Sequence, residues 1–578
     1  VSKNIFKYFN IKFKHILYAV ILNIFMSYVI RGIAVEVLNY IIGLSGEVNI
    51  NFSNFKELLS NPILILGFGV YLILISIVAY FELYLIIKLC TNQLSGSNFE
   101  FKREFLNFKN RISNSSLLDA ILFFIYIILI IPLAEIGFSI SLTKGIYIPQ
   151  FITDELFKTD FGAFFTSVFI LALVYINFRL IYILVLAVIK NQSFFKNIRE
   201  SLELTKKYGK KMILKLSLFE IVIYFSRAIL IYFLLKFLSI ATTFTDSLWI
   251  EAVVLTIIKT VNILFVTLTK LGIVLILLEL IEYREYKPIE NIKNKKNIFK
   301  NKKLVVILSM TIFILGVLYN GMKIYILQPN SKIEIVAHRG FAKKGVENSI
   351  EALEGAAETG ADFSEMDLML TKDKKFIVMH DYNLKRLSNL NKNVRDMNLD
   401  EIKQLNITQD SFTTKIPTFE EYVQKAKELN IKLLVELKPH GYEPNNYAEL
   451  IVEEMKRLGI DKEYKYMSLN LDLMQKIKKL APQMKVGYVI PIQFGQFSDD
   501  GVDFWVIEDF SYREILVLQA ILNKKELYIW TVNEKSRIEY YLNTLVTGLI
   551  SDNPDEIKQI KDNNTKYNSF FDRVFKLI

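Results

Sequence analysis

Residues 333–340 read Ile-Glu-Ile-Val-Ala-His-Arg-Gly, and residues 361–367 read Ala-Asp-Phe-Ser-Glu-Met-Asp. Each is a short apolar run that ends in chemistry-bearing polar residues, and the pattern returns along the C-terminal part of the chain. Segments 432–438, 465–468, 485–490, 503–507, 526–532 and 547–551 are further candidate strands, separated by stretches with the spacing of amphipathic helices. Eight such strands alternating with helices predict an α/β fold, a parallel sheet closed into a (β/α)8 or TIM barrel. Its chemistry is expected where the strands end.

The polar residues sit at those ends. The first strand runs into His338 and Arg339, and the second ends Glu365-Met366-Asp367. Side chains alternate along a strand, so carboxylates two residues apart point to one face. The third strand ends Glu436-Leu437-Lys438, which brings a carboxylate and an ammonium together in the same way. Phe376-Ile-Val-Met-His380-Asp381 reads as one arm of a hairpin between the second and third strands. The seventh ends Trp530-Thr-Val-Asn533 and the eighth Ser551-Asp552.

A single carboxylate at a barrel mouth is usually a solvated charge. Three together, Glu365, Asp367 and Glu436, form an all-oxygen set suited to one divalent cation, Mg²⁺ or Ca²⁺, and ill suited to Zn²⁺. Such a cation offsets charge developing on a phosphodiester oxygen. The chain has four histidines, and two of them, His338 and His380, belong to the strand-end set. Histidine exchanges protons near neutral pH, and phosphodiester cleavage needs one group to take a proton and another to give one. His440 stays outside this set, and His15 reads as a membrane-interface residue. Arg339 offers a planar fork of donors and Lys438 a point charge, both suited to phosphate or to balancing the carboxylates. Glu347 is placed to orient Arg339 or His338, and Asn348 to cap the helix that follows. Trp530 offers an apolar wall for a substrate's carbon skeleton.

The N-terminal part is built for a different solvent. Of 578 residues 52% are hydrophobic, and these gather in seven runs: 15–43, 62–90, 117–142, 161–189, 212–240, 250–281 and 304–326. A helix needs about 20 apolar residues to cross a bilayer, so all seven are candidate spans. The first is too long for a signal peptide, has no convincing cleavage site, and reads as a retained helix. The segments 1–14, 88–116, 190–211 and 282–303 carry 24 Lys and Arg, whereas 44–61, 143–160 and 241–249 carry 3. Basic loops stay in the cytoplasm, which predicts a cytoplasmic N-terminus and, after seven crossings, an extracellular C-terminal domain. The net charge of +11 is thus membrane topology, and no motif points to nucleic acid. The single cysteine, Cys90, excludes an intramolecular disulfide and a cysteine metal cluster.

Arg31, Glu36, Glu82, Glu135, Arg179, Glu220, Arg227 and Lys259 lie inside the apolar runs. Ionisable groups there are costly, and they read either as a polar cavity for a headgroup or polymer or as interhelical pairs and snorkelling side chains. The expected organisation is a multi-pass helical membrane domain at 1–330, the barrel at 331–562 and a tail at 563–578.

The motifs His338-Arg339-Gly340, Glu347-Asn348-Ser349, Glu365-x-Asp367, His380-Asp381, Glu436-Leu437-Lys438, Trp530-Thr-Val-Asn533 and Gly548-Leu-Ile-Ser-Asp552 resemble, in order and spacing, the glycerophosphodiester phosphodiesterase family. So does Ile416-Pro417-Thr418-Phe419-Glu420-Glu421, and the seven-helix part looks like the membrane domain of some bacterial members. The resemblance implies hydrolysis of glycerophosphodiesters to glycerol 3-phosphate and an alcohol. By the family pattern, His338 and His380 are the acid/base pair, Glu365, Asp367 and Glu436 hold the metal, and Arg339 and Lys438 contact phosphate. Val346 stands where the family usually has proline, and Arg386-Leu387-Ser388 replaces its usual Arg-Thr-Thr. These departures affect the loop entering the first barrel helix and the insertion over the site, hence substrate choice more than chemistry. The substrate classes implied are deacylated phospholipids, lysophospholipids and polyglycerol-phosphate. A lysophospholipase D or sphingomyelinase D-like activity is the rival within enzymes. A receptor or transporter that only binds glycerophosphodiesters is the rival from another class, and it has no use for both histidines.

Overall fold

The computed structural model describes residues 8, 11–44, 49–51, 61–113, 116–130, 141, 150–157, 159–190, 192–241, 247–281, 302–326 and 330–566. All eight predicted barrel strands are present, with boundaries within three residues of those expected: β1 Glu334–Ala337, β2 Phe363–Leu370, β3 Lys432–Leu437, β4 Lys465–Ser468, β5 Lys485–Ile490, β6 Phe504–Glu508, β7 Glu526–Trp530 and β8 Gly548–Ser551. Every strand pairs in parallel with its sequence neighbours, and β1 pairs with both β2 and β8, which closes the sheet.

The period of two dictates what fills the barrel. Val336, Phe363, Leu434, Met467, Val489, Phe504, Tyr528 and Ile550 form its inner core. Their neighbours in sequence, such as Ile335, Val435, Tyr466, Trp505 and Leu549, pack outward against the helices. Gly487 faces the ring of Phe504, and a Cβ there would lie 2.1 Å from it, so glycine makes room for the aromatic plug. Two residues below the inner core, Lys465 closes the barrel floor with Glu334 at 2.9 Å and Glu526 at 2.8 Å. Two residues above it lies the site.

Phe376–Val378 runs antiparallel to β2, with Leu368 opposite Val378, as the hairpin reading predicts. The insertion that follows carries a small core of its own, including Met369, Ile377, Met379, Leu387 and Ile416. It ends where Thr418 and Glu421 cap helix Phe419–Glu428 reciprocally, the side chain of each accepting from the other's backbone N–H.

Among the described residues of the N-terminal domain, five helical stretches are long and apolar enough to cross a membrane: Phe13–Gly43, Pro62–Ser95, Asp160–Lys190, Phe194–Ala241 and Leu248–Leu280. The seventh apolar run is the helix Lys302–Ile326. Of the third, Leu117–Ile130 is helical and 131–140 lie outside the described residues. Also outside them are Glu135, the basic segment 282–301, and the tail from 567. One expectation needs correction, since the basic stretch 190–211 is no loop. Helix Phe194–Ala241 runs through most of it, because no proline interrupts it and its polar residues keep helical spacing. Phe101–Ser113, within the segment 88–116, is likewise an amphipathic helix.

Three of the ionisable residues named within the apolar runs, Glu82, Arg179 and Lys259, have side-chain partners here. Lys270 pairs with Glu82 at 2.7 Å, with Ser141 and Asn23 completing a buried network. Arg179 donates to Thr205 and to the carbonyl of Leu202, and Lys259 to Asn320. For these groups the pairing reading holds.

Candidate active site

Each functional side chain leaves the upper end of a barrel strand or the turn just beyond it. His338 follows β1, and its Nδ1 lies 2.7 Å from Asp552 Oδ1 at the end of the adjacent β8. Asp552 is itself held by Asn533, which donates at 2.6 Å and accepts from its backbone N–H. Burial alone would raise the Asp552 pKa, but His338 and Asn533 bring it down to about 2. At His380, Nδ1 lies 2.8 Å from Asp381, whose other oxygen accepts from Arg386 at 2.6 Å. Nδ1 of both rings is thus taken by a carboxylate, which leaves Nε2 to face the cavity. Burial and the Arg339 charge push the His380 pKa below its ordinary value, against an opposing pull from Asp367.

The turn after β1 is tightly built. Arg339 and Asn348 have φ of +53° and +63°. A Cβ at Gly340, φ +79°, would sit 2.8 Å from Ala352 of the following helix. This turn aims the Arg339 backbone N–H at Glu365 (2.7 Å) and its guanidinium at Glu347 (3.1 Å). Asn348 does not cap the helix as expected. Its positive φ swings the side chain to Asp367, donating at 2.8 Å and accepting from the Asp367 N–H at 3.0 Å, and Ser349 is the cap instead. Glu347 does orient Arg339, not His338, and shares itself with Arg386. Burial would raise the Glu347 pKa, but the two arginines bring it down to about 2. With its oxygens so engaged, Glu347 lies behind the cavity rather than on its wall.

Glu365, Asp367 and Glu436 are buried, and they offer oxygens within 4.8 Å of one another. Lys438 stands between two of them, 2.9 Å from Glu436 and 3.2 Å from Asp367. Asp367 is held well below the usual carboxylate range: burial opposes this, but Lys438, His380 and Arg339 prevail. Glu365 goes the other way, raised well above it by burial and by the charges of Asp367 and Glu436. Its Oε1 has no hydrogen-bond partner among the described residues. Three carboxylates against Lys438 and a shared Arg339 leave negative charge uncompensated at an oxygen-rich point, and a hard divalent cation fits that vacancy of charge. Glu347, His380 and Asp381 also lie close enough to hold an ion, but arginines already neutralise their carboxylates.

These groups open onto a cavity of about 1030 Å³. His338, Arg339, Glu365, His380, Glu436, Lys438 and Trp530 line it, and the fully buried Asp367 contacts Lys438 and Arg339 of that lining. The sequence-predicted residues are therefore brought together. Missing from that reading were the positioning roles of Asp552, Asn533 and Arg386, although Asp552 and Asn533 lie in quoted strand-end motifs. His440 lies edge-on to Tyr382 and does not line the cavity, and His15 bonds Gln93 in the N-terminal domain.

The closed parallel barrel thus carries an acidic cluster and two carboxylate-held histidines at its mouth, and apolar helices precede it. Residues 2–316 match the family described as the membrane domain of glycerophosphoryl diester phosphodiesterase, and residues 338–556 the glycerophosphoryl diester phosphodiesterase family. The chain belongs to this family of phosphodiester-cleaving enzymes. A glycerophosphodiester phosphodiesterase of Caldanaerobacter subterraneus is 28% identical over 39% of this chain and 96% of its own length. One from Bacillus subtilis is 27% identical over 41% and 88%. The crystal structure of a glycerophosphodiester phosphodiesterase from Parabacteroides distasonis, 28% identical, covers 41% of this chain and 99% of its own, with a TM-score of 0.37.

Proposed function

We propose that this enzyme hydrolyses glycerophosphodiesters to glycerol 3-phosphate and the free alcohol, with one divalent cation, Mg²⁺ or Ca²⁺, at Glu365, Asp367 and Glu436. The observation that carries the reading is the pair of histidines whose Nδ1 atoms are tied to Asp552 and Asp381 on either side of the acidic cluster. When bound, the cation supplies positive charge to the non-bridging phosphate oxygens.

His380, with its lowered pKa, is the proton acceptor. Its Nε2 takes the proton of a water whose oxygen forms the new bond to phosphorus. The bond from phosphorus to the alcohol oxygen breaks, and His338 Nε2 delivers a proton to that oxygen, its own charge steadied by Asp552. Arg339 and Lys438 hold the phosphate, Glu347 positions Arg339, and Trp530 walls the glycerol carbons.

The seven apolar runs span the membrane, with the N-terminus inside and the barrel at the outer face. Asn49–Asn51 and Thr159–Asp160, which reach the barrel, both belong to loops poor in Lys and Arg. This supports placing those loops and the barrel on one side.

With glycerophosphocholine and the full-length protein, choline and glycerol 3-phosphate should appear in equal amounts. Activity should vanish in EDTA and return with Mg²⁺ or Ca²⁺. His338→Ala and His380→Ala should each lose about 10²–10⁴-fold without losing the fold. Full turnover in chelator removes the metal, and wild-type rates in either variant remove the histidines. A protein that binds the diester without cleaving it would be the receptor.

A further inference from the structure

The cavity has more walls than hydrolysis of a small diester requires. Met467, Val489 and Val506, the top of the inner core, floor the cavity, and beyond them Leu469, Pro491 and Ile492 extend the apolar surface along the turns after β4 and β5. Glycerol, phosphate and choline have no chain to lay against it. At about 1030 Å³ the space also stands at the upper end of what a drug-sized ligand fills.

A third wall comes from outside the barrel. Thr159 and Asp160 line the cavity from the first turn of helix Asp160–Leu180, in the membrane domain. The turn is held in shape: Thr159 Oγ1 accepts from the Gly162 N–H at 3.1 Å, and a Cβ on Gly162 would lie 2.1 Å from the Leu156 carbonyl. Directly after it, Phe161, Phe165 and Phe169 stack ring over ring at 6.5 Å spacings along one helix face, 79%, 58% and 48% exposed. An exposed aromatic stripe on a membrane helix is covered by lipid. It starts one residue from the cavity.

The apolar wall and the membrane domain are also tied to each other. Asn49 and Ile50 pair antiparallel with Gly495 and Phe494, two residues past Ile492 of the wall. The Asn49 side chain donates to the Gln496 carbonyl at 2.9 Å, and the Tyr488 hydroxyl reaches Asn51 at 3.4 Å. Two separate segments of the membrane domain thus meet the barrel, one lining the cavity and the other pairing with the chain just past its apolar wall.

Building on the phosphodiesterase reading above, we infer that the membrane domain is part of the substrate site. It selects a phosphodiester that carries a hydrocarbon chain and still lies in the bilayer. The diester is held at the charged wall, and the chain follows the Met467–Ile492 surface and leaves past Asp160 along the phenylalanine stripe. Asp160 and Leu469 are specificity-determining positions, and the membrane domain is more than an anchor.

The test uses the full chain in lipid nanodiscs, with kcat/KM measured on lysophosphatidylcholine and on glycerophosphocholine. The wild type should favour the lipid at least ten-fold. Asp160→Trp, which obstructs the gap between domains, and Leu469→Asp, which puts charge on the wall, should each cut that preference at least five-fold. Equal losses on both substrates, or a wild type that favours glycerophosphocholine, would overturn the inference and leave the hydrolase intact. Cleavage of neither substrate would overturn both. Independently, a lysophosphatidylcholine with a diazirine in its chain, added to His380→Ala protein, should label the peptide containing Asp160–Phe169. Unlabelled lysophosphatidylcholine should compete this away, and labelling only elsewhere counts against the chain path.

Discussion

Each half of the molecule buries a cluster of charge, and the two are built to opposite ends. In the membrane domain Glu82 and Lys270 are 1% and 3% exposed. Glu82 accepts from Lys270 at 2.7 Å and from Ser141, through its hydroxyl and backbone N–H. Asn23 accepts from Ser141 and Lys270 and donates to Thr267. The network is neutral, and it joins three long helical stretches and Ser141. In the barrel, Glu365, Asp367 and Glu436 face Lys438 and part of Arg339, and Glu365 Oε1 is left without a hydrogen-bond partner among the described residues. Buried polar groups are as a rule satisfied, so a closed network reads as structure and an open one as a place for something else to bind.

The two clusters should therefore answer opposite substitutions. Glu365→Gln removes a charge the fold holds at a cost, so it should cut kcat by about 10³-fold or more, the several kcal/mol a bound metal contributes to the transition state. Its thermal midpoint without metal should hold or rise. Lys270→Met strands Glu82 in an apolar interior, which for a broken buried pair costs about 3–5 kcal/mol, a large share of a typical folding free energy. Yield of folded protein and thermal midpoint should fall together, while the active-site chemistry of the molecules that do fold persists. If Glu365→Gln proves the more destabilising, the contrast between an open and a closed cluster is wrong.

A smaller effect sharpens the same contrast. A cation that binds only the folded protein stabilises it by about 2.7 kcal/mol at a hundred times its dissociation constant. Mg²⁺ or Ca²⁺ should accordingly raise the thermal midpoint of the wild type and of Lys270→Met, and leave Glu365→Gln nearly unmoved. An equal rise in all three would place the ion elsewhere.

How far each cluster was legible in the sequence follows from what periodicity carries. Alternation along β2 and β3 identifies Glu365, Asp367, Glu436 and Lys438 as sharing the inward face, because strand geometry fixes that within a few residues. It does not say who meets whom across the closure. His338 and Asp552 touch only because β1 and β8 are neighbours, 214 positions apart. Asn348 sits where a helix cap is expected, and only its positive φ reveals that it serves Asp367. In the membrane half hydropathy finds the spans, but Lys270 sits unremarked in the most apolar of company until Glu82 is seen beside it. Thr159 and Asp160 had no signal at all, since a loop reaching a distant domain leaves no periodic trace.

The smallest expected effect concerns pH and tests whether the open cluster tunes its own base. His380 is half-buried and lies near the Arg339 charge, and both favour its neutral form; Asp367 and the hydrogen bond to Asp381 oppose them without prevailing. A proton acceptor works only when neutral, so the lowered pKa extends activity toward acid. The acid limb of kcat/KM should fall below 6.5, the ordinary value for histidine. Asp381→Asn removes a contact that favours the imidazolium, and should move that limb further toward acid. Removing the positive charge in Arg339→Gln should move it back up. A cation at the three carboxylates would repel the imidazolium as Arg339 does, so metal loading should shift the limb in the acid direction. A limb that stayed in place in both variants would mean that another group, not His380, takes the proton.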